Sequence, residues 1–286
     1  MSAAVNAFRQ LDRVLRGEGT RAESLREGRL DVSGRSMLLV VTLLGAFYGA
    51  CMGCFNVASG GGSLGGGAWL QILSSAIKVP LLFLLTLAVT FPSLYVFNAL
   101  VGSRLTLANM LRLIMAAIGV MIAVLAGFGT IVAFFNFTTT SYPFILLLNV
   151  VVFTVAGVLG LSFLLQTLRR LVEPPRPRAT PEAAEVSPID TPAAQAEYER
   201  RHAVRPREPG ALDRLQDGPT DATVKAIFRI WIVIFALVGA QMSWVLRPFV
   251  GSYGDGEFVW FRERGGNFFE RVLGIIGELI GVGGRY

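Results

Sequence analysis

Three long stretches of this 286-residue chain contain no Asp, Glu, Lys or Arg: residues 36–77, 79–103 and 113–168. A water-soluble protein would have to bury all of them. A helix that crosses a bilayer needs about 20 mainly apolar residues. The uncharged stretches therefore predict an all-α, polytopic transmembrane helix bundle.

The composition agrees with this fold class. The chain is 53% apolar and 16% charged, with a mean hydropathy of +0.56, whereas an ordinary globular chain is about 25% charged. These values exclude a cytosolic enzyme, a secreted disulfide scaffold and a disordered chain. Only Lys78 and Lys225 among the 26 basic residues are lysines, which favours a GC-rich bacterial source. No cleavable signal peptide is expected, because the first apolar run begins at Met37, after a charged arm.

The apolar pattern predicts five spans. They cover residues 37–55, residues 79–100, two segments within 113–168, and residues 224–246. A polar turn at 136–143 divides the longest uncharged run into two. Residues 69–77 look like a separate interfacial stretch, and Pro80 is expected to open the second span. The chain is thus divided into a basic arm (1–36), a four-span bundle (37–168), a linker (169–223), a fifth span (224–246) and a final segment (247–286).

The linker and the basic residues predict the orientation. Residues 169–223 are rich in Pro, Ala, Glu and Arg, so they are expected to be disordered because they cannot bury a core. In the five-span topology, 20 basic residues fall on the side of the amino terminus and 6 on the other. Basic residues remain in the cytoplasm. We therefore expect a bacterial inner-membrane protein with a cytoplasmic amino terminus and an extracytoplasmic carboxyl terminus.

An amphipathic helix is predicted near the amino terminus. Over residues 3–16, a helical wheel places Phe8, Leu11 and Leu15 on one side and arginines on the other. This pattern is typical of an interfacial helix attracted to anionic lipid headgroups. Docking on the protein's own cytoplasmic loops is the alternative.

A second amphipathic helix is predicted at 267–281, where Asn267 and Glu270 form a capping-box-like start. Its apolar side spans roughly 160° of the wheel. That side consists of Phe268, Phe269, Val272, Leu273, Ile275, Ile276, Leu279 and Ile280. Trp260 belongs to a preceding aromatic patch suited to the headgroup level. The helix is expected either to contact lipid or a partner, or to cap the bundle.

Small residues recur at helical spacing inside two spans. Gly45, Gly49 and Gly53 form one stripe in the first span, and the third span repeats the pattern. The second stripe consists of Gly119, Ala123 and Gly127. Such stripes allow helix backbones to approach closely in lipid. Packing within the bundle is the expected use, and an interface between molecules is the alternative.

The sequence offers few groups for chemistry. Cys51 and Cys54 form a C-x-x-C pair that resembles membrane disulfide-generating enzymes, but those enzymes use a second cysteine pair and this chain has none. His202 is the single histidine, and all carboxylates lie outside the apolar runs. We therefore expect no catalytic site, no metal site and no cofactor.

Two polar residues near or within the spans carry specific expectations. Asn149 is expected to form a hydrogen bond between helices. Lys78 is expected to lie at a span boundary and to extend its amine towards water. Ionisable residues in a bilayer normally mark an ion or proton pathway, and their scarcity here argues against a proton-coupled transporter.

Two segments resemble known membrane proteins. Residues 78–105 read KVPLLFLLTLAVTFPSLYVFNALVGSRL and residues 241–251 read QMSWVLRPFVG; both are similar to segments of uncharacterised multi-span bacterial membrane proteins. Five spans with a cytoplasmic amino terminus also resemble the Yip-type proteins, whose members act in membrane trafficking and shaping. That resemblance implies a non-catalytic helix bundle. The family's Asp-Leu-Tyr-Gly-Pro signature is absent, so no functional residue is carried over.

The leading hypothesis is a non-catalytic membrane protein that scaffolds or assembles with partner proteins or with copies of itself. The lipid bilayer is an expected partner and nucleic acid is not. A channel or small-solute transporter is the first alternative. A thiol oxidoreductase that uses Cys51 and Cys54 is the second.

Overall fold

The computed structural model describes residues 3–17, 33–58, 67–100, 107–172, 221–251, 258–263 and 265–280, and every regular element within these ranges is a helix. The helices are α1 (Ala3–Leu15), α2 (Gly34–Gly53), α3 (Phe55–Ala58), α4 (Gly67–Leu100), α5 (Leu107–Thr138), α6 (Tyr142–Val172), α7 (Asp221–Leu246) and α8 (Phe268–Ile280). Most of the predicted disordered linker, and residues 18–32 of the basic arm, lie outside the described residues.

Five helical segments are long and apolar enough to cross a membrane. They are Gly34–Ala58, Trp69–Ser93, Met110–Thr138, Tyr142–Thr167 and Arg229–Leu246. The chain is therefore an integral membrane protein. The prediction of an all-α helix bundle with about five spans is confirmed.

The spans pack around α2. Helices α4 and α5 contact α2, helix α6 packs on α5, and helix α7 packs on α4. The aromatic ring of Phe153 joins three of these helices, because it contacts Tyr48 of α2 and Phe83 of α4. Successive spans alternate in direction and connect the two ends of the bundle. We call the end that holds Gly34 the amino-terminal face and the end that holds Gly53 the carboxy-terminal face.

The second span differs from the expectation. Helix α4 runs without interruption from Gly67 to Leu100 and contains Pro80 in its interior, so the prediction that 69–77 is a separate interfacial stretch and that Pro80 opens the span is wrong. Proline removes one backbone hydrogen bond from a helix. Membrane helices tolerate this loss where neighbouring helices pack against them, and Pro80 lies directly opposite Gly45 of α2.

The division of the longest uncharged run follows the sequence. Helix α5 ends at Thr138 and α6 begins at Tyr142. The predicted division of this run is therefore confirmed, but the turn itself covers only 139–141, because residues 136–138 belong to α5 and 142–143 to α6. In the turn, the backbone N–H of Ser141 donates to Oγ1 of Thr139 at 3.3 Å.

The first glycine stripe lies on the contact between α2 and α4. A Cβ atom added at Gly49 would be 2.2 Å from the backbone oxygen of Ser75, and one added at Gly53 would be 2.8 Å from the Cα of Ile72. At Gly45 the nearest atom would be the Cβ of Pro80, at 3.3 Å. These backbones approach so closely that only glycine fits without displacement at Gly49.

The second stripe is only partly used for packing. Gly119 packs against the side chains of Met37 and Leu11, and Ala123 is half-buried. Gly127 is exposed, and no heavy atom of the described residues lies within 4 Å of a Cβ added there. Close contacts occur instead at Gly129, against Phe47 of α2. The spacing identified a stripe, but the rotation of α5 in the bundle decides which of its glycines meet a neighbour.

Asn149 joins two helices, as expected. The hydroxyl of Tyr48 donates to Oδ1 of Asn149 at 2.9 Å, and Nδ2 of Asn149 donates to the carbonyl of Ile145 at 2.8 Å. Both Tyr48 and Asn149 are buried. The prediction of an interhelical hydrogen bond at Asn149 is therefore confirmed.

The glycine contact gives a stability prediction. We expect Gly49→Ala to lower the free energy of unfolding by about 1–3 kcal/mol, because the new methyl group forces α2 away from Ser75. Thermal unfolding of the full chain in mild detergent measures the effect. Gly127→Ala is the matched control, since it adds the same methyl group to a span where no described atom lies nearby. Equal stability of the two variants would contradict the prediction.

Candidate functional site

The chain that follows α7 folds back over the carboxy-terminal face. We call residues 247–251, 258–263 and 265–280 the C-terminal cap. It contacts side chains of α4, α6 and α7. The cap begins with a cis peptide bond between Arg247 and Pro248.

Lys78 of α4 is hydrogen-bonded to the backbone of the cap. Its amine donates hydrogen bonds to the carbonyls of Pro248, at 3.1 Å, and of Trp260, and it lies 5.0 Å from the ring centre of Phe261. Only 2% of Lys78 is exposed, so the expectation that its amine extends to water is wrong. Because α4 begins eleven residues earlier at Gly67, Lys78 lies inside the span, and the cap covers it.

Two further side chains of α4 bind the same stretch of the cap. The amide of Gln71 donates to the carbonyl of Phe249 at 3.0 Å, and the hydroxyl of Ser75 donates to the same carbonyl. Gln71 and Ser75 are both buried. An unsatisfied carbonyl is costly in an apolar environment. Three α4 side chains, at helical spacing, therefore satisfy backbone groups that the irregular cap cannot pair internally.

A contact with α6 fixes the other side of the cap. The hydroxyl of Tyr142, the first residue of α6, donates to the carbonyl of Gly251 at 3.2 Å. Gly251 has a φ of +97°, and a Cβ atom there would lie 3.0 Å from the side chain of Asn56. Glycine is required at this position for both reasons.

Arg247 links the cap to the end of α7. Its guanidinium lies 3.5 Å from the ring centre of Trp244 and donates to the carbonyl of Glu263. Partial burial lowers the pKa of Arg247, and the charges of Arg262 and Arg271 lower it further. Arginine remains protonated under all ordinary conditions, so this contact is a permanent cation–aromatic one.

Helix α8 begins with the side-chain cap that its sequence predicted. Oδ1 of Asn267 accepts a hydrogen bond from the backbone N–H of Glu270 at 2.9 Å. The indole of Trp244 donates to the carbonyl of Gly266 at 3.2 Å, which ties this start to α7. The position of α8 on the bundle is therefore fixed at its first turn.

The apolar side of α8 is shared between the bundle and the surroundings. Ile275 is buried at one edge of the apolar arc, and Phe268, Val272 and Ile276 are half-buried. The other edge is exposed: 70% of Leu273 and 70% of Ile280 are accessible, and Phe269 is exposed as well. Leu279, between the two edges of the arc, is also exposed. We call Phe269, Leu273 and Ile280 the apolar edge of the cap. Trp260 is also exposed, although its carbonyl accepts from Lys78.

The amino-terminal helix is docked on the bundle. Leu11 of α1 is buried together with Ala7 and Val14, and α1 packs on α2 and α5. Phe8 and Leu15 are exposed. Of the three residues expected at the membrane interface, Leu11 is thus a core residue, and Phe8 and Leu15 lie on an accessible surface.

The cysteine pair has no partner group for redox chemistry within the described residues. Cys51 and Cys54 are free and half-buried, and the thiol of Cys54 donates to the carbonyl of Ala50 at 3.2 Å. The carbonyl of Cys51 accepts from Asn136 of α5 at 2.8 Å. In the same described ranges, no group of three or more His, Cys, Asp or Glu side chains could hold a metal ion.

Sequence reasoning missed that Lys78 is a binding residue of the cap. One signal was available: Lys78 is the only charged residue between positions 36 and 103. A lone charge inside a long apolar segment indicates a specific partner. The identity of that partner, backbone carbonyls 170 and 182 residues away, requires the tertiary fold.

Searches against protein-family models, curated proteins and solved structures gave no match to this chain. The resemblance to Yip-type membrane proteins therefore stays a prediction. The site must be interpreted from its own geometry: a buried polar anchor on α4 and a fixed apolar edge on α8.

The anchor gives a second prediction. We expect Lys78→Met to loosen the cap, because the carbonyls of Pro248 and Trp260 lose their donor while the length of the side chain is retained. Loss of hydrogen bonds from a charged donor should increase cap opening by about tenfold or more. The rate of trypsin cleavage after Arg262 in the folded protein measures this opening.

The control for this variant is Ser93→Ala, which removes a hydroxyl that donates to Thr90 within the same helix. It should leave the cleavage rate after Arg262 unchanged. If Lys78→Met were cleaved there at the wild-type rate, Lys78 would not be the anchor of the cap.

Proposed function

We propose that this protein is a non-catalytic integral membrane protein that assembles with a partner membrane protein through the apolar edge of its C-terminal cap. The observation that carries the proposal is the exposure of Leu273 and Ile280, each 70% accessible, on a helix that is docked on the bundle by the buried Ile275 and by the hydrogen bond from Trp244 to Gly266. Large exposed apolar side chains in a cluster mark sites of contact with a protein or with the membrane.

The fixed position of α8 supports a binding function. A free amphipathic helix would lose conformational entropy when it bound a partner, whereas a helix that is already docked loses less of this entropy. Ile275 docks α8 on the bundle, the indole of Trp244 binds the carbonyl just before its start, and Asn267 caps its first turn. These contacts hold the apolar edge ready to bind before any partner arrives.

The chemistry of the apolar edge indicates what kind of partner surface would bind it. Apolar residues form the edge, while the ion pair between Arg271 and Glu278, at 3.5 Å, lies on the polar side of α8. Large apolar residues at the centre of an interface, surrounded by polar groups, carry most of the binding energy. The matching partner presents an apolar helix face at the level of the membrane surface, and it is either another membrane protein or a second copy of this chain.

The proposed location is a bacterial inner membrane, with the amino terminus in the cytoplasm. The distribution of 20 basic residues on one side against 6 on the other supports this orientation. The apolar edge then lies on the extracytoplasmic side, where it would meet its partner.

The two alternative functions receive no support from contacts among the described residues. Asn149, which a transport pathway would use, is bonded to Tyr48 and Ile145. Cys51 and Cys54 lie within the bundle without a second thiol pair in the chain. The channel or transporter and the thiol oxidoreductase stay predictions.

A charge placed on the apolar edge tests the proposal. We expect Leu273→Asp to reduce recovery of a stoichiometric partner by roughly tenfold or more, because a buried carboxylate would be unpaired at the interface. The measurement is affinity purification of the full chain from native membranes in mild detergent, with copies carrying two different tags to detect self-association.

Gly274→Asp is the matched control. It adds the same charge to the neighbouring residue, on the polar side of α8, where no described atom lies within 4 Å of the new Cβ. Partner recovery should be unchanged in this variant. A monodisperse monomer without partner from native membranes, or equal effects of the two variants, would refute the proposal.

A further inference from the structure

A groove of about 910 Å³ opens at the amino-terminal face, between α1, α2, α4 and α5. Three arginines line it, one from each of three helices: Arg13, Arg35 and Arg112. Its remaining lining includes the apolar side chains of Leu84, Leu87 and Met115. We propose that this groove binds one anionic phospholipid, with the phosphate among the arginines and the hydrocarbon chains on the apolar residues.

The depth of these residues matches the two parts of a lipid. Arg35 and Arg112 lie within the first three residues of the spans Gly34–Ala58 and Met110–Thr138, where the headgroups of a bilayer lie. Met115 is about 4.5 Å deeper along α5 than Arg112. Leu84 and Leu87 belong to the span Trp69–Ser93. The groove is therefore charged at headgroup level and apolar in the hydrocarbon region.

The three arginines give the groove a positive charge, which favours an anionic ligand. Among the carboxylates whose side chains the structure describes, only Asp12 lies at this face, and it pairs with Arg16 at 3.0 Å. Within the same described part of the chain, no ion pair engages Arg13, Arg35 or Arg112. Guanidinium groups bind phosphate oxygens through paired hydrogen bonds. Three guanidinium groups that line one groove suit one phosphodiester.

The start of α2 adds to this preference. Ser33, at the N-cap of α2, makes no side-chain hydrogen bond to the helix, and the first turn of α2 contains no acidic residue. Ser33 and Gly34 both line the groove. The unpaired N–H groups and the helix dipole at such an end favour an anion.

The apolar part of the groove selects a lipid over a soluble phosphate. A soluble anion would bind the arginines but leave the exposed apolar lining residues Leu38 and Leu111 uncovered by hydrocarbon. Basic pockets between transmembrane helices are typical sites for anionic headgroups. This site lies on the opposite face from the C-terminal cap, so its test does not depend on the proposed partner.

The test is a lipid titration of the purified full chain in mild detergent, with bound lipids counted by native mass spectrometry. We expect phosphatidylglycerol to bind about tenfold or more tightly than phosphatidylcholine. The double variant Arg35→Gln with Arg112→Gln should lose this preference. Ala108→Trp should also lose it, because it adds a bulky side chain to the lining of the groove without changing the charge.

The matched control is Arg9→Gln with Arg229→Gln, which removes the same charge from the same face outside the groove lining and should keep the preference. Thermal unfolding establishes that each variant is folded, and Ala108→Trp carries the test if the double variant is not. Equal binding of the two lipids, or equal loss in the control, would overturn the proposal. Displacement of phosphatidylglycerol by glycerol 3-phosphate at comparable concentration would assign the groove to a soluble anion instead.

Discussion

The backbone contact between α2 and α4 sets the geometry of the rest of the molecule. At Gly49 the carbonyl of Ser75 occupies the space that any other side chain would need, so the separation and rotation of the two helices are fixed. Ser75 takes part twice, since its backbone packs on α2 and its hydroxyl donates to the carbonyl of Phe249. The glycine stripe thereby positions the α4 side chains that hold the C-terminal cap.

Lys78 shows how the bundle makes irregular backbone acceptable at the membrane surface. A buried amine is costly unless it is fully hydrogen-bonded, and so is a buried carbonyl. The carbonyls of Pro248 and Trp260 and the ring of Phe261 satisfy the amine. The amine removes the free-energy cost of burying the carbonyls, and the carbonyls remove the cost of burying the amine. The cap and the lysine are therefore interdependent, and this accounts for the presence of a single charge inside an otherwise uncharged span.

The two faces of the bundle differ in what they offer to the surroundings. The carboxy-terminal face holds a docked helix with an exposed apolar edge around Leu273, which suits a protein contact. The amino-terminal face holds a groove lined by Arg13, Arg35 and Arg112, which suits an anionic lipid. The span interior between them is filled by packed groups such as Tyr48 and Asn149. Both proposals thus place function at the membrane surfaces.

Sequence alone determined the membrane fold, the turn after Thr138 and the cap of α8 at Asn267, because apolar length, turn residues and capping residues act over a few neighbouring positions. It also identified the glycine stripe, but not that Gly127 faces open space, since helix rotation depends on all neighbours at once. It placed Lys78 at a boundary in water, whereas tertiary structure buried it under a segment that lies 170 to 182 residues further along the chain. Local patterns specify helices, and only the packed bundle decides which side chains meet, because those contacts join distant parts of the chain.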